Sequence, residues 1–234
     1  MKSLAIIPAY NEEKNIAHVV NDLRSHTPWL DMLVIDDGSG DKTAQLAHAA
    51  GAEVISLPVN LGIGGAVQTG FLYAWKQGYD IAIQVDADGQ HRSEEIMKLI
   101  EPVLDGSVDV SIGSRFLQKT AYQGSNSRRV GIFFLSRTIK RITKRTITDP
   151  TSGFRAYNRK AIRILSEHYS IDYPEPDAIV TLLKNGIRIS EVSVEMDERL
   201  HGRSSITPMR SAYYMFKVSL AIILNSMMAK LWRE

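Results

Sequence analysis

Residues 81–91 read IAIQVDADGQH, a short apolar run that ends in an acidic turn. Comparable runs occur at residues 3–10 (SLAIIPAY), 31–37 (DMLVIDD), 53–59 (EVISLPV) and 108–114 (VDVSIGS), and longer helical patterns separate them. This alternation predicts an α/β fold with a mainly parallel, doubly wound sheet flanked by helices. Because ligands of such sheets bind beyond the carboxyl ends of the strands, we expect four polar clusters to share one edge. They are Tyr10–Glu12, Asp36–Asp37, Asp86–Asp88 and Ser114–Arg115.

Length and composition are those of an ordinary folded protein. The chain has 234 residues, of which 44% are hydrophobic and 23% charged, which excludes intrinsic disorder. It has no cysteine, which excludes disulfides, thiolate zinc sites and a cysteine nucleophile and agrees with a cytoplasmic location. The net charge of +2 does not predict nucleic-acid binding. We expect one domain over residues 1–210 and an apolar C-terminal helix over 211–234 that is too short to span a bilayer.

Basic residues are concentrated in one stretch. Residues 110–148 contain no Asp or Glu but nine Lys and Arg. Within them, residues 128–146 fit an amphipathic helix with the charges on one side. Its other side is apolar: Ile132, Leu135, Ile139 and Ile142. Such a helix fits an anionic membrane surface, although a basic surface that is simply solvated is the alternative.

The acidic turn at residues 86–90 is the strongest indication of chemistry. Asp86 and Asp88 follow a strand, and two carboxylates at this spacing can hold Mg²⁺ or Mn²⁺ on a diphosphate. Gln90 could add a neutral oxygen ligand. The structural alternative is an Asp-rich turn without a ligand, since Asp and Gly are common in turns. Two histidines stay open as functional candidates because of the motifs they belong to: His91 ends VDADGQH, and His201 begins HGRSS.

The polar residues at two further strand ends have both a structural and a ligand-binding interpretation. Asp36 and Asp37 end a strand and could contact a base or ribose, while Asp41 is placed to cap the helix that follows. Asn11 is placed to cap a helix that begins near Glu12, which leaves Tyr10 to face a nucleobase.

Three glycines lie between a strand and a helix: Gly62, Gly64 and Gly65. Their spacing fits neither a dinucleotide motif nor a P-loop, so a dinucleotide cofactor is not predicted. They indicate a place where the backbone approaches a ligand or a neighbouring helix closely.

Together the motifs PAYNEE, VIDDGSGD, NLGIGGA, VDADGQH, GSRF, DPTSGFRAY and HGRSS occur in an order that resembles the family 2 nucleotide-sugar glycosyltransferases of the GT-A fold. Within that family the chain is most similar to the dolichyl- and polyprenyl-phosphate sugar transferases. The resemblance covers nearly the whole chain, and its specificity comes from the order and spacing of motifs that are weak singly.

The resemblance implies a role for each matching residue. A nucleotide pocket would be lined by Pro8, Ala9, Tyr10, Asn11, Glu12, Asp37, Gly64, Asp86 and Ala87. The divalent cation would be held by Asp86, Asp88 and Gln90. The donor and acceptor phosphates would meet arginines, namely Arg115, Arg129 (or its neighbour Arg128) and Arg203. The catalytic residues would be Asp88, Arg115 and Arg203.

The implied chemistry is metal-dependent sugar transfer from a UDP- or GDP-linked donor. A polyprenyl phosphate is already anionic, so it could attack the anomeric carbon with inversion and without a general base. If the acceptor were a sugar hydroxyl, a base would be needed, and Glu175 or Asp177 would be the candidate. A third interpretation is a non-catalytic nucleotide-sugar binding protein on the same fold.

The same resemblance implies a location and partners. We expect a peripheral protein on the cytoplasmic face of an anionic membrane, with a small membrane-protein partner or a homo-oligomer as further options. Transmembrane helices, which often follow the catalytic domain in this family, are not predicted here.

Overall fold

The structure, a computed structural model, describes residues 1–117, 126–170, 174–197 and 218, except for the side chains of residues 126–129. The strands are β1 (Ser3–Ala9), β2 (Asp31–Asp36), β3 (Glu53–Ser56), β4 (Ile81–Gln84), β5 (Val110–Ser114), β6 (Arg155–Asn158) and β7 (Ile189–Ser193). The helices are α1 (Ile16–His26), α2 (Thr43–Ala49), α3 (Gly62–Lys76), α4 (Ile96–Leu104), α5 (Asn126–Thr143), α6 (Arg159–Glu167) and α7 (Pro174–Lys184).

The strands form one sheet in the order β3-β2-β1-β4-β6-β5-β7. Every neighbouring pair is parallel except those of β6, which is antiparallel to both β4 and β5. The predicted mainly parallel sheet flanked by helices is confirmed. Because β4 and β5 are both antiparallel to β6, they run in the same direction and end at the same edge of the sheet.

Both faces of the sheet are buried. Leu4 and Ile6 of β1 belong to one hydrophobic cluster, and Ala5 and Ile7 to the other. Helix residues complete each layer, such as Phe71 of α3 on the first face. A strand that is covered on both sides needs a continuous apolar run, which explains the pattern from which the strands were predicted.

Two helices begin at different residues than the sequence predicted. Helix α1 begins at Ile16 rather than near Glu12. Helix α3 already includes Gly62, Gly64 and Gly65 in its first turn, so they are part of a helix rather than of a loop.

The basic amphipathic helix is confirmed as α5, over Asn126–Thr143 rather than 128–146. Its predicted apolar side packs inward, with Leu135 and Ile139 completely buried. Its exposed side carries basic residues together with three large apolar ones that the sequence interpretation did not single out: Val130, Phe133 and Phe134.

The C-terminal part lies mostly outside the described residues. Val218 is helical and completely buried, and it belongs to the same hydrophobic cluster as Leu135 and Ile139. None of the helices within the described ranges is long and apolar enough to cross a membrane. The domain boundary at residue 210 stays a prediction.

Candidate functional site

Four strands end at the same edge of the sheet and carry the predicted polar clusters there. The last pair in the register of β1 and β2 is Ala9 opposite Asp36. The Asp37 N–H donates to the Ala9 carbonyl at 2.9 Å, which continues the ladder by one step. Since β4 and β5 run in the same direction, Asp86–Asp88 and Arg115 follow at this edge as well. The expectation that the clusters share one edge is confirmed.

Hydrogen bonds join the loop after β1 to the loop after β2. The Asn11 N–H donates to Ser39 Oγ, and Asn11 Oδ1 accepts from the Gly40 N–H, both at 2.9 Å. The Glu12 N–H donates to Thr43 Oγ1 at 2.8 Å. The two loops that would line a nucleotide pocket are therefore held as one unit.

The interpretation of Asn11 as a helix cap is wrong. Its backbone has φ +54°, a left-handed conformation that Asn adopts more readily than most residues with a side chain. This geometry turns its amide toward the neighbouring loop, several residues before α1 begins. Next to it, Tyr10 is 51% exposed, so its ring is accessible to a ligand at the end of β1.

Asp37 fixes the start of α3. Its carboxylate is 3% exposed and accepts from the Leu61 N–H at 2.7 Å and the Gly62 N–H at 2.9 Å. These N–H groups lack partners within the helix and lie at its positive end. The same loop positions Asp41, which accepts from the Thr43 N–H at 2.9 Å just before α2, although Lys42 rather than Asp41 is the cap residue of that helix.

The acidic turn after β4 presents one accessible and one buried carboxylate. The Asp86 side chain is 36% exposed, whereas Asp88 is 6% exposed. The Gln90 N–H donates to Asp88 Oδ1 at 3.0 Å, so the turn folds back on its own carboxylate. Gln90 is also tied to the segment after β7, because its Nε2 donates to the Asp197 carbonyl at 3.3 Å.

The buried ring of His91 packs against this turn. Its ring stacks on Phe154, with 4.6 Å between the ring centroids, and burial lowers its pKa to about 4, so it is neutral at neutral pH. Its Nδ1 accepts from the Asp86 N–H at 3.0 Å, which places the proton on Nε2, 3.5 Å from Asp86 Oδ2. The ring therefore contacts both the backbone and the carboxylate of Asp86.

Arg115 is held by a buried carboxylate. Its Nε and Nη2 donate to the two oxygens of Asp149 at 2.7 and 2.8 Å. Asp149 is completely buried and Arg115 is 8% exposed. Such a bidentate pair fixes the plane of the guanidinium as well as its position. Both charges influence the pKa of His91, and Arg115 follows β5 at the same edge of the sheet as the acidic turn.

An apolar pocket of about 360 Å³ opens next to this pair. It lies between α5 and residues 146–148, and Phe116, the neighbour of Arg115, forms part of its wall. Ile132, Phe133 and Ile147 add apolar surface, and Arg137 and Lys140 place positive charge at its rim. Its volume lies in the range of small-molecule sites.

Glu175 and Asp177 lie in the first turn of α7, and both are partly buried. Burial raises the pKa of each carboxyl group. For Glu175 the charge of Asp86 adds to this effect, while Arg155 opposes it. Glu175 is thus within electrostatic reach of the acidic turn.

A model of one protein family, glycosyl transferase family 2, matches residues 4–165. The chain belongs to glycosyl transferase family 2. It is accordingly a glycosyltransferase, and the family predicted from the motifs is confirmed.

Relatives of this family 2 glycosyltransferase cover most of its length. The UDP-N-acetylglucosamine–dolichyl-phosphate N-acetylglucosaminyltransferase of Methanococcus voltae is 33% identical over 210 residues, 81% of this chain and 83% of that protein. The polyprenol monophosphomannose synthase of Mycolicibacterium smegmatis is 30% identical over 231 residues, 93% of this chain and 86% of that protein.

A solved structure confirms the GT-A fold. Glucosyl-3-phosphoglycerate synthase from Mycobacterium tuberculosis, in complex with Mn²⁺, UDP and glucosyl-3-phosphoglycerate, matches with a TM-score of 0.72. The match covers 96% of this chain and 79% of that one at 20% sequence identity. At this identity the likeness concerns the fold alone.

The donor atoms of the acidic turn fit a divalent cation. Carboxylate and amide oxygens are the ligands that Mg²⁺ and Mn²⁺ prefer, and Asp86, Asp88 and Gln90 offer these at one strand exit. Within the described ranges, no group of three or more His, Asp or Glu side chains is placed to hold a metal ion.

Some predicted site residues cannot be placed. Arg203 and the HGRSS motif lie outside the described residues, as does His201. Arg128 and Arg129 belong to α5, but their side chains are among those not described. Their roles stay predictions, as do those of the residues lining the nucleotide pocket.

Sequence reasoning missed the residues that support the site. Asp149 and Gly153 both lie in DPTSGFRAY, one of the motifs that carry the family resemblance, and the resemblance implies no role for either residue. An Asp beside a Pro has an ordinary interpretation as a turn residue. Only the fold reveals that its partner is Arg115, 34 positions earlier.

Proposed function

We propose that this glycosyltransferase transfers a sugar from a UDP- or GDP-linked donor to a polyprenyl phosphate. The observation that carries this proposal is the position of the apolar pocket, with its basic rim, beside Arg115. A substrate with an anionic head and an isoprenoid tail fits such a pair of surfaces, whereas a sugar hydroxyl acceptor needs neither. The names of both relatives include a polyprenyl-type acceptor, which supports the same conclusion.

The donor would bind at the edge formed by the first two loops and the acidic turn. Tyr10 offers an exposed ring for a nucleobase, and Pro8, Ala9, Asp37, Gly64 and Ala87 would line the pocket around it. Asp86, Asp88 and Gln90 would hold Mg²⁺ or Mn²⁺, which neutralises charge on a departing nucleoside diphosphate when it is bound. A solved structure of the same fold contains Mn²⁺ and UDP, which supports a divalent cation and a nucleotide as ligands of this fold.

The acceptor phosphate would approach from the side of Arg115, with Arg129 and Arg203 as further phosphate contacts. As an anion it needs no proton removed before it attacks the anomeric carbon, and a single displacement inverts the configuration. Fixed positive groups such as Arg115 stabilise charge that develops in the transition state without having to reorganise.

The exposed side of α5 would lie on an anionic membrane at its cytoplasmic face. Val130, Phe133 and Phe134 are between 55% and 61% exposed, and Arg137, Lys140 and Arg141 of the same helix are exposed as well. Apolar and basic residues together favour interfacial binding to anionic lipid. The product would be a lipid-linked sugar for envelope glycan or glycoconjugate synthesis.

The direct test is a panel of radiolabelled nucleotide sugars with undecaprenyl phosphate in detergent, with Mn²⁺ or Mg²⁺ or with EDTA. We expect label in the lipid extract with at least one donor, and no label with EDTA or in Asp88→Asn. Asp105→Asn is the matched control, since Asp105 is exposed at the end of α4, before β5 begins, and its carboxylate accepts from the neighbouring Ser107 N–H; it should label lipid as the parent does.

Donor binding without any turnover would instead favour a nucleotide-sugar binding protein. Turnover onto a sugar hydroxyl would favour the second candidate, in which Glu175 acts as general base. The raised pKa of Glu175 near Asp86 is the observation that favours it, because a base of higher pKa removes a proton more effectively. Glu175→Gln would abolish that reaction and leave transfer to a phosphate acceptor largely unchanged.

A further inference from the structure

We infer that residues 148–154, called here the bracing loop, position both halves of the proposed site: Asp149 orients Arg115, and Gly153 makes room for the Asp86 carboxylate. This inference rests on the proposed function for the tasks of Arg115 and Asp86. It adds two residues to which neither the family match nor the motif resemblance gives a role.

The first arm of the loop reaches Arg115. Asp149 accepts from Nε and Nη2 of the guanidinium and also from the Arg115 N–H at 3.2 Å. Thr151 Oγ1 accepts from the same Nη2 at 3.2 Å. Because Asp149 is completely buried, it is placed to orient Arg115 rather than to touch a substrate.

The second arm reaches the acidic turn. A Cβ atom at Gly153 would lie 3.0 Å from Asp86 Oδ1 and 3.2 Å from Gln84 Nε2. These distances are shorter than ordinary van der Waals contact, so any side chain there would displace the carboxylate by a few tenths of an ångström. Glycine at this position therefore lets Asp86 keep the place from which it would bind the cation.

The loop is itself fixed at both ends. At its start, Glu191 of β7 accepts from the Thr148 N–H at 2.7 Å and the Asp149 N–H at 2.8 Å. At its end, the buried Arg155 donates to the carbonyls of Pro150 and Ser152 at 3.0 and 2.7 Å. Arg155 also donates to the Glu175 carbonyl at the start of α7. Because hydrogen bonds hold the loop near both ends, Asp149 and Gly153 are kept in fixed positions.

The two arms predict different defects in variants of the full chain. We expect Gly153→Ala to weaken Mn²⁺ binding in the presence of UDP roughly tenfold, the usual order for residues that support metal ligands. Titration calorimetry with Mn²⁺ measures this directly and does not depend on turnover. Asp105→Asn is again the control, because Asp105 lies outside the bracing loop and its carboxylate accepts from the neighbouring Ser107 N–H; its Mn²⁺ affinity should match that of the parent.

For the first arm we expect Asp149→Asn to weaken binding of farnesyl phosphate and to lower kcat for the lipid acceptor, each by about tenfold or more. The decisive test is a double-mutant cycle with Arg115→Ala. If Asp149 acts through Arg115, the double variant loses no more than Arg115→Ala alone. Thr151→Val, which removes a single bond to the same guanidinium, gives a smaller defect of the same kind and serves if Asp149→Asn does not fold.

Unchanged Mn²⁺ affinity in Gly153→Ala, or fully additive losses in the Asp149 cycle, would overturn the inference. Either result is distinct from failure of the proposed function. If no donor gives lipid product, the Mn²⁺ and farnesyl phosphate titrations still decide whether the loop braces Asp86 and Arg115.

Discussion

Asp109 shows how one residue couples this fold to pH. It is 4% exposed and accepts from the Arg188 N–H at 2.9 Å and from its guanidinium, and from Asn158 Nδ2 at 2.8 Å. The hydrogen bonds from Arg188 lower the pKa of Asp109 to about 2. The folded state thus keeps the carboxylate charged where the unfolded chain would protonate it. This stabilisation is present above the ordinary pKa of 3.8 and is lost as the pH falls toward 2.

We predict that Asp109→Asn lowers the free energy of unfolding by about 1–2 kcal/mol at pH 7, a value reduced because Arg188 is half exposed and its charge is screened. At pH 3 the gap between parent and variant should shrink to about half. Urea unfolding at both pH values measures it. A gap that is the same at pH 7 and pH 3 would contradict the ionic origin of the effect.

At the same scale, the site residues that could be predicted are those next to a strand end. Asp86, Asp88 and Arg115 each follow an apolar run, so their place at the sheet edge follows from the chain itself. Asn11 could not be predicted correctly, because a polar residue before a helix caps it in most proteins. Its real partners, Ser39 and Gly40, belong to another loop.

At the scale of elements, α5 combines an inner face that could be predicted with an outer face that could not. The spacing of Ile132, Leu135 and Ile139 marks the buried side. Whether Phe133 and Phe134 are covered depends on what packs around the helix, and that is a property of the fold. Likewise, the antiparallel direction of β6 could not be predicted, because a single sequence carries no information on which neighbours a strand will pair with.

The outer face of α5 leads to a prediction about membranes. Val130 and Phe134 are four positions apart, share a face with Arg137 and Arg141 at helical spacing, and do not line the pocket. We predict that Val130→Ser with Phe134→Ser lowers binding to vesicles containing phosphatidylserine at least tenfold, since each buried apolar side chain contributes about 1.5–3 kcal/mol. Vesicle flotation measures the bound fraction.

The matched control for that pair is Met97→Ser with Leu104→Ser on α4. Both side chains are also exposed, but α4 carries a single basic residue, Lys98. This control should float as the parent does, and none of the proteins should bind vesicles of phosphatidylcholine alone. Equal loss in both double variants would mean that binding reflects apolar surface in general rather than α5.

At the scale of the whole molecule, the proposed site would consist of loops that follow β1, β2, β4 and β5, so a ligand that contacts several of them should stabilise the entire fold. A ligand at one hundred times its Kd adds about 2.7 kcal/mol, and for a chain of this size each kcal/mol shifts Tm by about 2–4 °C. We predict that Mn²⁺ and the matching nucleoside diphosphate together raise Tm by roughly 5–10 °C, and that either alone has a much smaller effect.

A comparison of UDP with GDP in this measurement also identifies the donor base before any sugar is known. Asp88→Asn should lose the part of the shift that needs Mn²⁺, because in the proposed site the cation would connect the acidic turn to the diphosphate, whereas Asp105→Asn should keep it. If UDP and GDP shift Tm equally without Mn²⁺, and Asp88→Asn shifts with them, the nucleotide binds away from residues 86–90. In that case the sheet edge described here would not be the donor site.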